Sequence, residues 1–133
     1  MNPILRNILA VIVGFVIGSV INMGIITLNG SLLPLPEGID ILSSEGMKSL
    51  PFKYFIGPFL AHALGALVGA FTTAKIAISS HKKLALGMGG LFLMGGIAAA
   101  NMIAAPTWFV VLDLVAAYLP MGWLGGKLAN KNN

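Results

Sequence analysis

The chain has 133 residues, of which 57% are hydrophobic and 9% are charged; its formal net charge is +4 and it contains no cysteine. Soluble domains carry roughly a quarter charged residues, so this chain has too few charges to cover a water-exposed surface. The absence of cysteine excludes disulfides, thiolate catalysis and cysteine-ligated metals, and the length suits one domain. The basic residues do not form the clustered patch with aromatics that nucleic acid requires, so the expected partner is the lipid bilayer.

Four apolar stretches follow one another along the chain. Each has about 20 residues, enough for a helix to cross the hydrocarbon core of a bilayer. Because lipid offers no hydrogen bonds to the backbone, each stretch is expected to be helical, and the sequence lacks the alternating pattern of barrel strands. We predict a single all-α integral membrane domain over residues 1–133, in which four transmembrane helices form a compact bundle. The predicted spans are residues 8–28, 55–74, 84–105 and 107–126.

The connections between the predicted spans differ in length. An outer loop over residues 30–54 contains three prolines, whereas Ala105-Pro106 leaves almost no loop before the fourth span. Inside the outer loop, Ser43-Ser44-Glu45 precedes Met47 in the order typical of a helix N-terminus. We expect one short helix there, lying at the membrane interface.

Lysine and arginine are distributed unevenly between the two sides of the predicted bundle. The side richer in these residues faces the cytoplasm in most membrane proteins. The bias predicts a multi-pass protein of the bacterial inner membrane with both termini in the cytoplasm and all four acidic residues on the outer side. Arg6, Lys75, Lys82, Lys83, Lys127 and Lys131 fall on the cytoplasmic side, and only Lys48 and Lys53 fall on the outer side.

Two pairs of similar segments suggest an internal duplication of a helical hairpin. Residues 20–23 (Val-Ile-Asn-Met) resemble residues 99–102 (Ala-Ala-Asn-Met), and residues 69–77 resemble residues 121–129. Such two-span repeats are related by an axis along the membrane normal. Apolar sequence also produces chance matches, so two duplicated hairpins and two unrelated hairpins are open alternatives.

Strongly polar side chains are rare inside the predicted spans. Those well inside are Asn22, His62, Asn101 and Asp113, and they lie at a similar depth in the outer half. Each also lies on a helix face with small residues, which favour close helix packing in membranes. We therefore expect all four polar side chains to point into the bundle.

The two ionisable side chains of this group, His62 and Asp113, are expected to contact each other. A charged aspartate inside a membrane costs several kcal/mol unless it is paired, hydrated or protonated. Asn22 and Asn101 are expected to flank the pair. Two interpretations remain: a site that handles protons or cations, and a structural polar clamp that sets the helix register.

Small residues at helical spacing predict where the helices pack, and a proline predicts where one of them bends. Four-residue spacing of small residues lets two helix backbones approach closely. Pro120 leaves the Ala116 carbonyl without its helical partner and predicts a kink in the fourth span. The predicted packing positions are Gly14, Gly18, Ala61, Gly65, Gly69 and Thr73.

Metal binding and serine hydrolysis have little support in the sequence. His62 and His81 fall on opposite sides of the predicted bilayer, so they cannot share an ion, and no cofactor is expected. A carboxylate and amide site for Na⁺ or Ca²⁺ would have to use Asp113 with the two asparagines. Several serines fall on the same side as His62, but no nucleophile-elbow pattern accompanies them.

A resemblance to known proteins rests on three places in the chain. The stretch Pro58-Phe-Leu-Ala-His62-Ala-Leu-Gly65, the Pro106-Thr-Trp108 start of the fourth span and Asp113 together resemble uncharacterised small four-span bacterial inner-membrane proteins. The resemblance implies a fold and a location, and no activity. Small multidrug exporters typically carry a glutamate in the first span, whereas the first span here has no acidic residue.

The sequence favours a non-enzymatic membrane protein that acts as an oligomer or as an accessory subunit of a membrane assembly. The alternative is a cation- or proton-coupled transporter, or a channel, that uses the Asp113 and His62 pair. An intramembrane hydrolase is a third interpretation, which the sequence disfavours.

Overall fold

A computed structural model describes residues 1–129 of the chain, and its regular elements are all helices. The prediction of an all-α fold is confirmed, because no strand occurs within this range. In chain order the helices are α1 (Pro3–Leu32), α2 (Ser44–Lys48), α3 (Lys53–Ile76), α4 (His81–Met102), α5 (Thr107–Ala116) and α6 (Leu119–Leu128).

Four helical segments are long and apolar enough to cross a membrane: α1, α3, α4 and the combined stretch Thr107–Leu128. This confirms the prediction of four such segments. The helices differ from the predicted spans at their ends. Helix α1 extends beyond residues 8–28 in both directions, and α4 begins and ends earlier than residues 84–105. Polar residues at the ends of an apolar run, such as Asn29 and Lys82, continue a helix easily, so hydropathy alone does not place its ends.

The long helices alternate in direction, so that the start of α1 meets the end of α3. Arg6 Nε donates to the carbonyl of Ile76 at 3.0 Å, and Asn7 bonds both Ser79 and the backbone of Ile78. These side chains satisfy carbonyl and turn groups that the end of a helix leaves open. The same end of the bundle holds the start of α4 and the end of α6, and therefore the lysines at positions 75, 82, 83 and 127. Lys131, which also entered the charge bias, lies outside the described residues.

The predicted packing positions in α1 and α3 form a close contact between these two helices. A Cβ at Gly18 would lie 2.6 Å from the carbonyl oxygen of Gly65, and a Cβ at Gly69 would lie 3.0 Å from the carbonyl oxygen of Gly14. Thr73 is fully buried in the same contact and donates its hydroxyl hydrogen to Gly69 O at 2.9 Å. Ala61, the remaining predicted position, is fully buried in α3. Glycine is required here because backbone meets backbone.

A second close contact joins α4 and α6 against α3. A Cβ at Gly122 would lie 3.0 Å from Gly89 Cα, and a Cβ at Gly125 would lie 2.6 Å from the carbonyl of Leu67. The alanines at positions 70, 74 and 85 are fully buried and pack in the same region, together with Met88. The half of the bundle at the basic end is therefore closed by small residues.

The outer loop folds over the opposite end of the bundle. Met47 of α2 and Leu50 pack against Phe55 and Phe109, which belong to α3 and α5. The backbone N–H of Ala104 donates to Ile41 O at 3.0 Å and ties the loop to the end of α4. The expected short helix therefore forms as α2, although the Ser43 side chain makes no capping hydrogen bond.

The fourth long segment is interrupted between Ala116 and Leu119, close to the kink predicted at Pro120. Pro120 occupies the first turn of α6, where its missing N–H is tolerated. The carbonyl of Asp113 accepts the N–H of Ala117 at the end of α5, and the carbonyl of Tyr118 accepts the N–H of Gly122 at the start of α6. The segment crosses the bundle as two helices rather than as one bent helix.

Candidate functional site

The structure brings His62 of α3 and Asp113 of α5 into direct contact. His62 Nδ1 lies 2.8 Å from Asp113 Oδ1 and 3.0 Å from Oδ2. The Asp113 side chain is 7% exposed and that of His62 is 21% exposed, so the pair is largely removed from solvent. An ionised carboxylate only accepts hydrogen bonds, which places the proton of this contact on Nδ1.

Tyr118 is the third member of the site, and its hydroxyl donates to Asp113 Oδ2 at 3.0 Å. Its ring also stacks on the His62 ring, with the centroids 5.8 Å apart and the planes at 25°. Gly96 of α4 leaves room for this ring, because a Cβ there would lie 2.5 Å from the tyrosine hydroxyl. Tyr118 therefore fixes the carboxylate and the imidazole at the same time.

The break between α5 and α6 explains how Tyr118 reaches Asp113. In an unbroken helix, residues five positions apart lie about 140° apart around the axis, since each residue turns the helix by roughly 100°. The break at Ala117 and Tyr118 removes this restriction. The sequence predicts one continuous helix for this segment, and Tyr118 is therefore missed. The only signal of the break in the sequence is the nearby Pro120.

The two asparagines do not take part in the site. Asn22 lies in the contact between α1 and α3, where a Cβ added at Gly65 would lie 2.9 Å from the Asn22 Cβ. The expectation for Asn101 is wrong: its side chain is exposed, and its amide donates to Ile97 O one turn earlier in α4. Depth along the helix is shared by all four polar residues, but rotation about the helix axis turns Asn101 away.

A cavity of about 530 Å³ lies between the helices and the outer loop, and both His62 and Asp113 line it. Its wall is contributed by α1, α3, α4 and α5, and Met47 and Leu50 line its outer end. His62 lies nine residues from the start of α3, or about 13 Å along a helix that rises 1.5 Å per residue. The pair therefore forms the deep end of the cavity.

The free ring nitrogen of His62 is the reactive atom that this arrangement offers. Nδ1 is occupied by Asp113, and Nε2 makes no hydrogen bond within residues 1–129. Asn22 Oδ1 is the one buried side-chain polar atom in this range without a partner, so Nε2 is accessible and not sealed in protein. A neutral histidine accepts a hydrogen bond at Nε2, and a protonated one donates there.

The described residues offer no group of three or more histidine or carboxylate side chains placed to hold a metal ion. The cavity wall contains no serine, threonine or cysteine. The arrangement is therefore that of a hydrogen-bonding or proton-accepting group at the end of an apolar cavity.

Comparison of the chain with protein families, curated proteins and solved structures found no match. The resemblance to small four-span bacterial proteins is accordingly still an expectation.

Proposed function

We propose that this protein is a non-enzymatic protein of the bacterial inner membrane that acts as an oligomer or as an accessory subunit of a membrane assembly. The observation that carries the proposal is the outward face of α4. Gly87, Gly90 and Gly95 lie on this face, and a Cβ at any of them would have no neighbour within 4 Å. Small residues at membrane-facing positions favour contact with another helix.

The composition of this face differs from that of the other exposed helix. Helix α1 presents bulky side chains outward, among them Ile8, Ile12 and Val16, each at least half exposed. Such side chains suit contact with lipid chains. Helix α4 also exposes bulky side chains such as Met94, but its outward face includes the exposed glycines and Asn101, whose side-chain oxygen has no partner within the described residues. An amide on an outward face favours a protein partner over hydrocarbon.

The proposed orientation has both termini in the cytoplasm, and the lipid bilayer is a partner throughout. Its support is the charge bias. The basic end of the bundle holds five of the six lysine and arginine residues assigned to the cytoplasmic side, and the sixth, Lys131, lies outside the described range. Anionic lipids of the cytoplasmic leaflet attract such residues. The hairpin duplication is still a prediction, and the different surroundings of Asn22 and Asn101 offer it no support.

Bulky substitutions on the α4 face are expected to dissociate the assembly. The double variant Gly87→Leu/Gly95→Leu places branched side chains where a partner helix would approach, so the complex should shift to a monomer or lose its partner. The measurement is light scattering and partner recovery after purification in mild detergent. The chain has no cysteine, so Ala98→Cys provides a unique disulfide cross-link between copies as a second readout.

The matched control is Gly24→Leu on α1, where a Cβ also meets nothing within 4 Å. This variant should keep the assembly of the wild type. A monomeric wild-type protein without a co-purifying partner would contradict the proposal. So would equal behaviour of the α4 variant and the α1 control.

A second candidate function is transport of a cation or a small solute, coupled to protons at the Asp113 and His62 pair. It is favoured by the contact of this buried pair with a cavity, since ionisable residues inside membranes commonly mark transport pathways. The basic half of the bundle is closed by contacts such as Gly89 with Gly122. Transport through this half of the bundle would therefore require packed helices such as α4 and α6 to separate.

Transport predicts proton movement in reconstituted vesicles that depends on Asp113. The purified protein is placed in liposomes that contain a pH-sensitive dye, and a proton gradient is imposed across their membrane. The lumen should become acidic, and Asp113→Asn should reduce the rate of acidification to that of empty liposomes. Glu37→Gln, a carboxylate change in the outer loop, is the control and should leave the rate unchanged. Equal rates for wild type and Asp113→Asn would exclude this function.

The intramembrane hydrolase is the least supported function. His62 has a carboxylate partner, as a general base often does, but the cavity wall supplies no hydroxyl of serine or threonine and no thiol to act as nucleophile.

A further inference from the structure

The cavity beside His62 is closed on the side of the outer loop. Ile41, Met47 and Leu50 line that end, and the bond from Ala104 N to Ile41 O holds the loop on the end of α4. Met47 and Leu50 are buried. A water-soluble molecule would have to displace this apolar cover.

The same cavity is bounded on one side by α1 and α4, which touch each other near their middles. Phe92 of α4 packs against Phe15 at 5.5 Å between ring centroids, and it would meet a Cβ placed at Gly18. Nearer to the loop, Ile26 of α1 and Ala99 of α4 both face the cavity. The cavity is therefore bordered by both helices on the side nearer to the loop, while the helices touch near their middles.

The walls of the cavity are almost entirely apolar. Asn29, Tyr54, His62 and Asp113 are its only strongly polar side chains, and the first two belong to its outer end. At the deep end Asp113 is already bonded by His62 and Tyr118. Of the ring and carboxylate atoms of this pair, His62 Nε2 is the one that makes no hydrogen bond within the described residues.

We propose that this cavity binds a membrane-soluble alcohol or phenol, which enters from the bilayer between α1 and α4 and places its hydroxyl group on His62 Nε2. A hydroxyl donates to neutral Nε2 and accepts from protonated Nε2, so it fits either state of the histidine. The apolar walls surround the hydrocarbon part of the ligand, and a volume of about 530 Å³ suits a small-molecule site. This site is independent of the proposed assembly through α4.

The test uses two photoreactive probes that differ only in the hydroxyl group: a 12-carbon primary alcohol with a diazirine in its chain, and the matching hydrocarbon. The full protein is labelled in phosphatidylcholine nanodiscs, and the modified residues are identified by mass spectrometry. The alcohol probe should label the 99–103 segment of α4 saturably. Excess 1-dodecanol should compete with it, and excess dodecane should not.

Three variants separate the hydroxyl contact from general partitioning into lipid. In His62→Leu/Asp113→Leu the competition by 1-dodecanol should weaken about three- to tenfold, the loss expected for one hydrogen bond. Ile26→Trp fills the cavity from α1 and should abolish saturable labelling. Val20→Trp, at a residue 65% exposed on the same helix, should leave it intact.

Three outcomes would overturn the proposal. The first is equal, non-saturable labelling by the alcohol and the hydrocarbon, which would mean that lipid tails fill the cavity. The second is labelling confined to the exposed side of α1. The third is an unchanged alcohol preference in the double leucine variant. Loss of oligomers alone would change none of these readouts. Failure of the assembly proposal can therefore be told apart from failure of the ligand proposal.

Discussion

Asp113→Leu is expected to lower the free energy of unfolding by about 3 kcal/mol, the largest effect of any single substitution in the site. Removing one partner of a buried ion pair costs roughly 3–5 kcal/mol, and the partial exposure of His62 places the expectation at the low end. The substitution leaves both His62 Nδ1 and the Tyr118 hydroxyl without an acceptor. Reversible unfolding by sodium dodecyl sulfate in mixed micelles, followed by circular dichroism, measures the change.

The double variant His62→Leu/Asp113→Leu is expected to recover most of this loss. Replacing both members of a buried pair with apolar residues is often neutral or stabilising, because the cost of removing the polar groups from water disappears. Recovery would remain incomplete by about 1 kcal/mol, since the Tyr118 hydroxyl is still unpaired. Glu37→Leu, in the outer loop, is the control and should change stability little. A single variant as stable as the wild type would show that the pair contributes nothing.

Gly18→Ala is expected to separate α1 from α3 and to cost about 1–3 kcal/mol of unfolding free energy, the usual range for an overpacked contact. The added Cβ would lie 2.6 Å from the Gly65 carbonyl oxygen and 2.7 Å from the Phe92 ring. The ring contact can be relieved by a shift of the side chain, but the carbonyl belongs to the backbone and moves only with its helix. The same detergent-unfolding measurement records the loss.

Gly24→Ala, six residues further along α1, is the matched control. A Cβ at this position meets nothing within 4 Å, so the substitution adds helix propensity without a clash. The stability should be unchanged or higher by up to about 1 kcal/mol. Equal losses for the two alanine variants would contradict a specific contact at Gly18 and would indicate a general effect of alanine in α1.

The residues of the site differ in how far the sequence reveals them. His62 and Asp113 are recognisable because ionisable groups are rare and costly inside a membrane span, so they need a partner at similar depth. Tyr118 carries no such signal, because tyrosine is common near span ends and lies five residues from Asp113 in a helix that sequence treats as continuous. Its contact exists only because the chain breaks before Pro120.

Asn22 and Asn101 are alike in sequence but differ in their surroundings in the structure. They have the same residue type, a similar depth and matching neighbours in sequence, yet Asn22 is packed between α1 and α3 and Asn101 is exposed on α4. Sequence period gives the relative orientation of residues within one helix. It does not give the direction in which that helix faces its neighbours, which depends on which surfaces pack together.

The sequence by itself determined the all-helical class, the four apolar helices and the glycine positions at which two of them meet, because hydropathy and residue size act locally along the chain. Tertiary structure alone decided the break that carries Tyr118 to Asp113, the outward turn of Asn101 and the cavity beside His62. Each of these depends on how whole helices are rotated and spaced. That arrangement is a property of several segments together, since small residues bring α1 and α3 into contact while α1 and α4 both border the cavity.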